Sequence, residues 1–324
     1  MTDHCPIWTR DTPSIGPAIV AIGVFDGVHL GHQALIAHGC ASADARSVPC
    51  VALTFDRDPD QVVTPDTASP QLLTLADKCR FLTRAGARIV SVIPFDAEIA
   101  AMPPEEFIDR ILLAVCEPLE VHVGVDFRFG RFAEGTVDTL RKLGESAGFV
   151  VVPHDLVRRG SHPVTSTRIR GLVSEGSLDD AATLLGRPHR AAGMVVKGRG
   201  EGRTLLGIAT ANILPSEHAA LPRPGVYAGW ATVEDRRWPA AISVGVPPSV
   251  PRAHHVLEVH LIGFEGDLLH KHLTLEFHAA LRPQRAFTEA GALAAAMSAD
   301  IDRVAEMLQD PDGQPHVNGA SDDS

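Results

Sequence analysis

No apolar run in this chain of 324 residues approaches the roughly 20 residues that a membrane helix needs. The opening MTDHCPIWTRDTPS has neither a basic start nor an apolar signal core, so export and membrane insertion are not expected and a cytoplasmic location is. Cysteine is scarce. Cys5, Cys40, Cys50, Cys79 and Cys116 form no Cys-x-x-Cys pair, which reads as buried free thiols rather than a zinc site or a disulfide framework. Basic charge is short as well: 29 Lys and Arg stand against 40 Asp and Glu, a net charge of −11. A broad nucleic-acid surface is therefore excluded, because neutralising a phosphate backbone takes clustered cations. Two nucleotide motifs are also missing. The first apolar run is not followed by Gly-x-Gly-x-x-Gly, which argues against a dinucleotide oxidoreductase, and Gly193 to Gly198 has Walker spacing but continues with Arg199 and Gly200 instead of Lys and Ser/Thr.

What is present is ordinary globular composition, 45% hydrophobic and 21% charged, in a chain longer than one core usually fills. Two domains are expected. Apolar, branched runs at 18–25, 51–55, 88–95, 120–127 and 149–153 alternate with helical patterns, including PPEEFIDRILLAV with proline at its opening. Five buried strands spaced by helices predict an α/β, doubly wound parallel sheet whose ligands sit beyond the carboxyl ends of the strands. Two short helices follow, and from Gly193 the texture changes to strands joined by Gly/Pro turns, the pattern of a small antiparallel β-barrel. A last helix, FTEAGALAAAMSADIDRVAEML, closes the second domain. The expected division is 1–186 for the sheet domain and 187–309 for the barrel domain with its C-terminal helix. A polar tail, 310–324, is expected to be disordered.

The most informative segment is Gly23-Val24-Phe25-Asp26-Gly27-Val28-His29-Leu30-Gly31-His32. Its glycines permit close backbone approach at a strand-to-helix turn, where free N–H groups and the helix dipole favour phosphate. His29 and His32 are spaced so that both imidazoles can face the same phosphate oxygens and stabilise charge building on them. The stretch resembles the G-x-F-D-G-V-H-x-G-H signature of the bacterial bifunctional riboflavin kinase/FMN adenylyltransferases, within the HxGH nucleotidyltransferases. The resemblance implies His29 and His32 as catalytic residues and Gly23, Phe25, Asp26 and Gly31 as part of the ATP site. Val164-Thr165-Ser166-Thr167-Arg168-Ile169-Arg170 looks like the same family's S-S-T-R-I-R element. It implies ATP contacts from Ser166 and Thr167 and a catalytic role for Arg168, whose guanidinium suits forked phosphate contacts. Gly124-Val125-Asp126-Phe127-Arg128-Phe129-Gly130, followed by Gly135, resembles the family's G-x-[ND]-F-R-F-G stretch, and Asp126 and Arg128 are the expected flavin contacts. One departure stands in Thr54-Phe55-Asp56-Arg57-Asp58-Pro59, where the family has T-F-[DE]-P-H-P; Arg57 is a candidate replacement cation.

In the second half, Gly202-Arg203-Thr204-Leu205-Leu206-Gly207-Ile208-Ala209-Thr210-Ala211-Asn212 resembles the riboflavin kinase motif G-R-x-L-G-F-P-T-A-N. It implies Gly202 and Arg203 at the ATP phosphates, with Thr210 and Asn212 as Mg2+ ligands. Residues two apart on a strand project to the same side, and oxygen donors suit that ion. Glu258 matches the family's general base, and Leu281-Arg282-Pro283 its L-R-P element. Departures are larger here: Ile208-Ala209 replaces Phe-Pro, and Gly245-Val246-Pro247-Pro248-Ser249-Val250 replaces G-T-N-P-T-F. The resemblance implies an enzyme that phosphorylates riboflavin to FMN and adenylylates FMN to FAD, with ATP as co-substrate and Mg2+ as cofactor. Riboflavin, FMN, FAD and ATP are its expected partners, with neither nucleic acid nor membrane; oligomeric state is not legible. Two alternatives stay open: an FMN adenylyltransferase whose barrel is a degenerate kinase, and a non-catalytic flavin-binding or regulatory relative.

Overall fold

The structure, a computed structural model, describes residues 7–197, 209–216, 218–245, 256–285, 287 and 289–308. It divides into two compact units, Met1–Ser166 and Thr167–Ser324.

The first unit is built on five strands, β1 (Pro17–Ile22), β2 (Cys50–Phe55), β3 (Ile89–Ile93), β4 (Glu117–Gly124) and β5 (Val150–His154). All pair in parallel in the order β3-β2-β1-β4-β5. Residues 18–22 and 50–55 are buried throughout, as strands covered on both faces must be. One layer of the core gathers Val20, Ile22, Leu53, Val121 and Phe107, and the opposite layer Ala21, Ala52, Ile36, Leu82 and Val92. The chain runs outward from β1 through β2 to β3 and then crosses back to β4, so the direction of winding reverses between β1 and β4. Such a reversal opens a crevice at the carboxyl ends of those two strands. The expected strand 18–25 stops at Ile22, because Phe25 takes a left-handed conformation (φ 54°) that cannot continue a ladder.

Helix α1 (Leu30–Arg46) follows β1. A single turn, α2 (Asp60–Val63), and the amphipathic α3 (Leu75–Arg84), capped by the Thr74 hydroxyl, connect β2 to β3. After α4 (Ala97–Ala100), the proline-led segment comprises α5 (Pro104–Phe107) and α6 (Leu113–Val115), with a π turn over Ile108–Leu112 where an unbroken helix was expected. Helix α7 (Val137–Ala147), started by the Thr136 cap and stopped by left-handed Gly148, leads into β5. A two-residue hairpin, β6 (Arg158–Arg159) with β7 (His162–Pro163), precedes α8 (Ser166–Glu175). The thiols depart from expectation in one respect: Cys40, Cys50 and Cys116 are free, but Cys79 is disulfide-bonded.

In the second unit, α9 (Leu178–Leu185) packs on a closed antiparallel barrel, as the sequence pattern predicts. Its strands are β8 (His189–Val196), β9 (Ala211–Pro215), β10 (Gly225–Val233), β11 (Arg236–Gly245), β12 (Val256–Leu261) and β13 (His272–Pro283), in the closed order β10-β11-β12-β9-β8-β13. Alternate residues point inward and fill the interior with Val195, Ile213, Tyr227, Ile242, Leu257, Val259, Leu275 and Phe277. The barrel is a packed core, so any ligand must use its outer face or its ends. Helix α10 (Ala290–Met307) lies against β10 and β11. It is clamped by Arg282 of the L-R-P element, whose Nε and Nη2 donate to the Asp300 carboxylate at 2.7–3.1 Å. Glu276 on β13 accepts from Arg190 and Arg237, and the Arg237 guanidinium lies 4.3 Å from the Trp230 ring centre. Burial pushes the Glu276 carboxyl up, but His278 and the two arginines outweigh it and hold the pKa at about 2.

Candidate functional sites

Between β1 and α1 the chain turns through three left-handed residues, Phe25 (φ 54°), Gly27 (φ 77°) and Val28 (φ 38°). Two of them carry side chains, each costing on the order of 1–2 kcal/mol, so the turn persists only if its surroundings hold it. They do. Asp26 is buried and its carboxylate accepts the Leu72 N–H at 2.9 and 3.2 Å. Its own carbonyl accepts the Ser166 hydroxyl at 2.8 Å. The Thr54 hydroxyl donates to the Val24 carbonyl at 3.0 Å, and Gln33 donates to the Val28 carbonyl at 2.8 Å. Phe25 folds back so far that a Cβ on Gly23 would stand 2.8 Å from its ring.

The two histidines meet at the end of this turn. Their rings stack with centres 3.6 Å apart and planes 18° from parallel. His29 caps α1, its Nδ1 accepting the His32 N–H at 3.3 Å, which leaves the neutral ring's proton on Nε2. Gly31 lies directly beneath, for a Cβ there would sit 3.1 Å from the His29 ring. The edge of Phe25 backs His32, ring centres 5.2 Å apart and planes at 82°. Thus Phe25 and Asp26 are buried supports, and His29, itself buried, stacks on the half-buried His32 at the N-terminus of a 17-residue helix. That arrangement offers N–H donors and a helix dipole to an anion, held rigid before any ligand arrives.

The neighbouring strand ends complete the rim. Strand β4 runs beside β1 and ends in the segment Gly124 to Gly135, where Asp126 and Arg128 are exposed. Phe127 and Phe129 stack beneath them, centres 5.6 Å apart, and Phe129 bridges to Gly135. At the end of β2, Asp56 accepts the Phe95 N–H at 2.8 Å and pairs with Arg57 at 2.8 Å. The candidate replacement cation is therefore committed in part to its own neighbour. Ser166 opens α8, with Thr167 exposed and Arg168 half-buried in its first turn. Two contributors escaped sequence reasoning. Thr54 was read as the opening of the T-F-[DE]-P-H-P-like stretch with no role for its hydroxyl, and Lys78, a charged residue on the apolar side of α3 between Leu75 and Leu82, is buried under the turn.

In the barrel, strand register brings together two residues that lie 46 positions apart in the chain. Glu258 on β12 pairs directly across from Asn212 on β9, and on its other side across from Ser243 on β11. Side chains so opposed sit on one face within about 5.5 Å at Cβ. Their neighbours Ile213, Leu257 and Val259 are buried inside the barrel, so Asn212 and Glu258 share its outer face, each half-buried. Thr210, just before β9, lies two residues from Asn212, and Ala209 beside it is pinned by its carbonyl to the His260 ring at 2.8 Å. Gly202 and Arg203, and the altered loop at 246–250, lie outside the described residues, as does the segment 310–324.

A parallel sheet presents stacked histidines at a strand-to-helix turn, and in the same chain a closed barrel presents Asn and Glu on its outer face, so each unit carries a candidate site, and the fold class is that of a two-unit protein. Residues 12–168 match the family model described as FAD synthetase, and residues 185–308 that described as riboflavin kinase. A bifunctional riboflavin kinase/FMN adenylyltransferase of Pseudomonas fluorescens is 36% identical over 286 residues, 87% of this chain and 90% of that protein. The protein of that description from Escherichia coli K12 is 31% identical over 283 residues, with the same coverage of both chains. The chain belongs to the bifunctional riboflavin kinase/FMN adenylyltransferase family. Among solved structures, one described as a macrolide-efflux protein from Streptococcus pneumoniae superposes with a TM-score of 0.77 at 27% identity, covering 90% of this chain and 94% of that one. Among the described residues no helix is long and apolar enough to cross a membrane.

Proposed function

We propose that this chain makes FAD in two ATP-consuming steps, the barrel phosphorylating riboflavin to FMN and the sheet unit adenylylating FMN. The observation that carries the second step is the His29–His32 stack at the start of α1, with His29 locked as an Nε2–H donor. In that step a phosphate oxygen of FMN bonds to the α-phosphorus of ATP, the bond to the bridging oxygen breaks, and pyrophosphate leaves. No protein nucleophile is needed. The imidazoles and the N–H groups of the helix start stabilise the charge that builds on the phosphates, and Thr167 and Arg168, at the start of the helix that the Ser166 hydroxyl anchors to the Asp26 carbonyl, hold the leaving group. Asp126 and Arg128, on the adjoining strand end, contact the flavin.

In the barrel, Glu258 takes the proton of the riboflavin hydroxyl as its oxygen bonds to the γ-phosphorus of ATP and ADP departs. Thr210 and Asn212 supply oxygen donors, the atom type that a hard cation takes, beside the Glu258 carboxylate, and Mg2+ bound there would offset charge on the ATP phosphates. ATP as co-substrate agrees with a cytoplasmic site of action, and the net charge of −11 with small-molecule rather than nucleic-acid partners. Incubation with riboflavin, ATP and Mg2+, followed by chromatography of the flavins, tests the reading. FMN and FAD are both expected. FAD arising only from supplied FMN would confine the activity to the sheet unit, and neither product would make the protein a flavin binder.

A further inference from the structure

Lys78 on α3 is 1% exposed, and its ammonium is used entirely inside the sheet unit. Nζ donates to the Phe55 carbonyl at 2.9 Å and to the Val24 carbonyl at 3.2 Å. Phe55 is the last residue of β2, and Val24 begins the left-handed turn that delivers His29. One cation thus ties a strand end to the turn. The Val24 carbonyl also accepts the Thr54 hydroxyl, so both its acceptor positions are taken by side chains from outside the turn. Two residues on, Asp26 grips the N–H of Leu72, which precedes the Thr74 cap of α3. Helix α3 therefore holds the turn at two points, through Lys78 at Val24 and through its lead-in at Asp26.

The energetics argue that this lysine is there for geometry. Burial costs an ammonium several kcal/mol unless partners compensate, and here burial lowers its pKa while Asp58, Asp26 and Asp56 act to raise it. Three carboxylates around one ammonium leave no surplus positive charge to offer a polyphosphate. What the ammonium does supply is two directed hydrogen bonds, which add to the Thr54 hydroxyl a second tie between the Val24 carbonyl and the end of β2.

We propose that Lys78 is a positioning residue for adenylyl transfer: by tethering the Val24 carbonyl to the end of β2 it sets the turn that presents the His29 and His32 imidazoles. This rests on the assignment of that turn to FMN adenylylation, and the test separates the two. Lys78→Met keeps length and apolar volume without a donor; Lys78→Gln retains a neutral donor. Steady-state kinetics of FAD formation, per folded protein, are paired with imidazole 1H–15N spectra of the ligand-free enzyme.

For Lys78→Met, kcat for FAD formation is expected to fall roughly ten- to a hundredfold, the scale of an ångström of misplacement. KM for FMN should stay within about threefold and FMN formation from riboflavin within about twofold, with Lys78→Gln intermediate. The His29 and His32 signals should move in both variants while those of His122 and His154, on β4 and β5, stay in place. Unchanged kcat, equal loss of both steps, or unmoved His29 and His32 signals would overturn the proposal. So would failure of the sheet unit to fold in both variants, which would make Lys78 a folding residue. If the unaltered enzyme forms no FAD, the functional reading of the turn fails, and the imidazole spectra still decide whether Lys78 sets its geometry.

Discussion

The two units solve the same problem, holding a polyphosphate beside a reacting oxygen, with opposite structural means. In the sheet unit the proposed working groups stand on a strained turn, and what keeps them there comes from far along the chain: Thr54, Leu72, Lys78 and Ser166. In the barrel unit the proposed groups Asn212 and Glu258 stand on regular strands, and the ladder that pairs them is enough to place them. A turn offers several backbone N–H groups aimed at one point, which suits a phosphate chain, but it must be braced. A strand needs no bracing, yet it offers one side chain every second residue. Changes to supports are therefore expected to damage the first site more than the second.

The sharpest way to break this comparison is to remove the chemistry of each site in turn. Glu258→Gln should lower FMN formation roughly 10²–10⁴-fold, the usual worth of a general base, and leave FAD formation from supplied FMN within about twofold. Stopped assays with each flavin measure both. His29→Ala should do the reverse, costing FAD formation about 10²-fold, the scale of one lost charge-stabilising donor, with FMN formation intact. Equal losses in both steps for either variant would mean that the sites are not separate.

A gentler change probes the bracing itself. Gly31→Ala puts a methyl 3.1 Å from the His29 ring, closer than side chains normally pack, so the imidazole must move by a few tenths of an ångström. Adenylyl transfer is expected to fall about tenfold, with thermal stability changed by no more than a few degrees. A wild-type rate would show that the His29 ring position is not critical.

The smallest effect concerns acid stability and lies in the barrel. His189 is fully buried, its Nε2 donating to the Ala220 carbonyl at 2.8 Å, and burial pulls its pKa down to about 4. Its folded pKa lies below the unfolded one, so the unfolded chain binds the proton more readily. The stability that His189 contributes is complete above about pH 6.5 and is lost as pH falls toward 4. Glu276, held at about 2, follows the same sign in a lower window, losing its contribution from about pH 4.5 down to 2. Denaturant midpoints between pH 7 and 3, read from the fluorescence of Trp230 and Trp238, should therefore decline in two stages, and His189→Gln should remove the upper one.

The sheet and the barrel were legible because their signals are local, and the segments proposed as sites are local too. Gly23 to His32 is one continuous segment, and Asn212 and Glu258 stand in short motifs of their own. The end of β1 was misjudged by three residues, since Val24 and Phe25 are good strand formers that the turn overrides. A sequence pattern reports which face a residue prefers, not what meets it there. Lys78 on the apolar side of α3 was the one visible signal of the bracing, and its partners Val24 and Phe55 lie 54 and 23 residues away.

By itself the chain's order of residues determined the alternation of strands and helices in the first unit, the strands of the barrel in the second, and the family to which both belong. Only the folded structure decided that the imidazoles of His29 and His32 stack, that Asp26 and Lys78 are spent on holding a turn, and that Glu258 faces Asn212. The reason is physical: periodicity and turn chemistry act within a few residues, whereas the saturation of a buried carbonyl or ammonium depends on groups that only close packing brings to it.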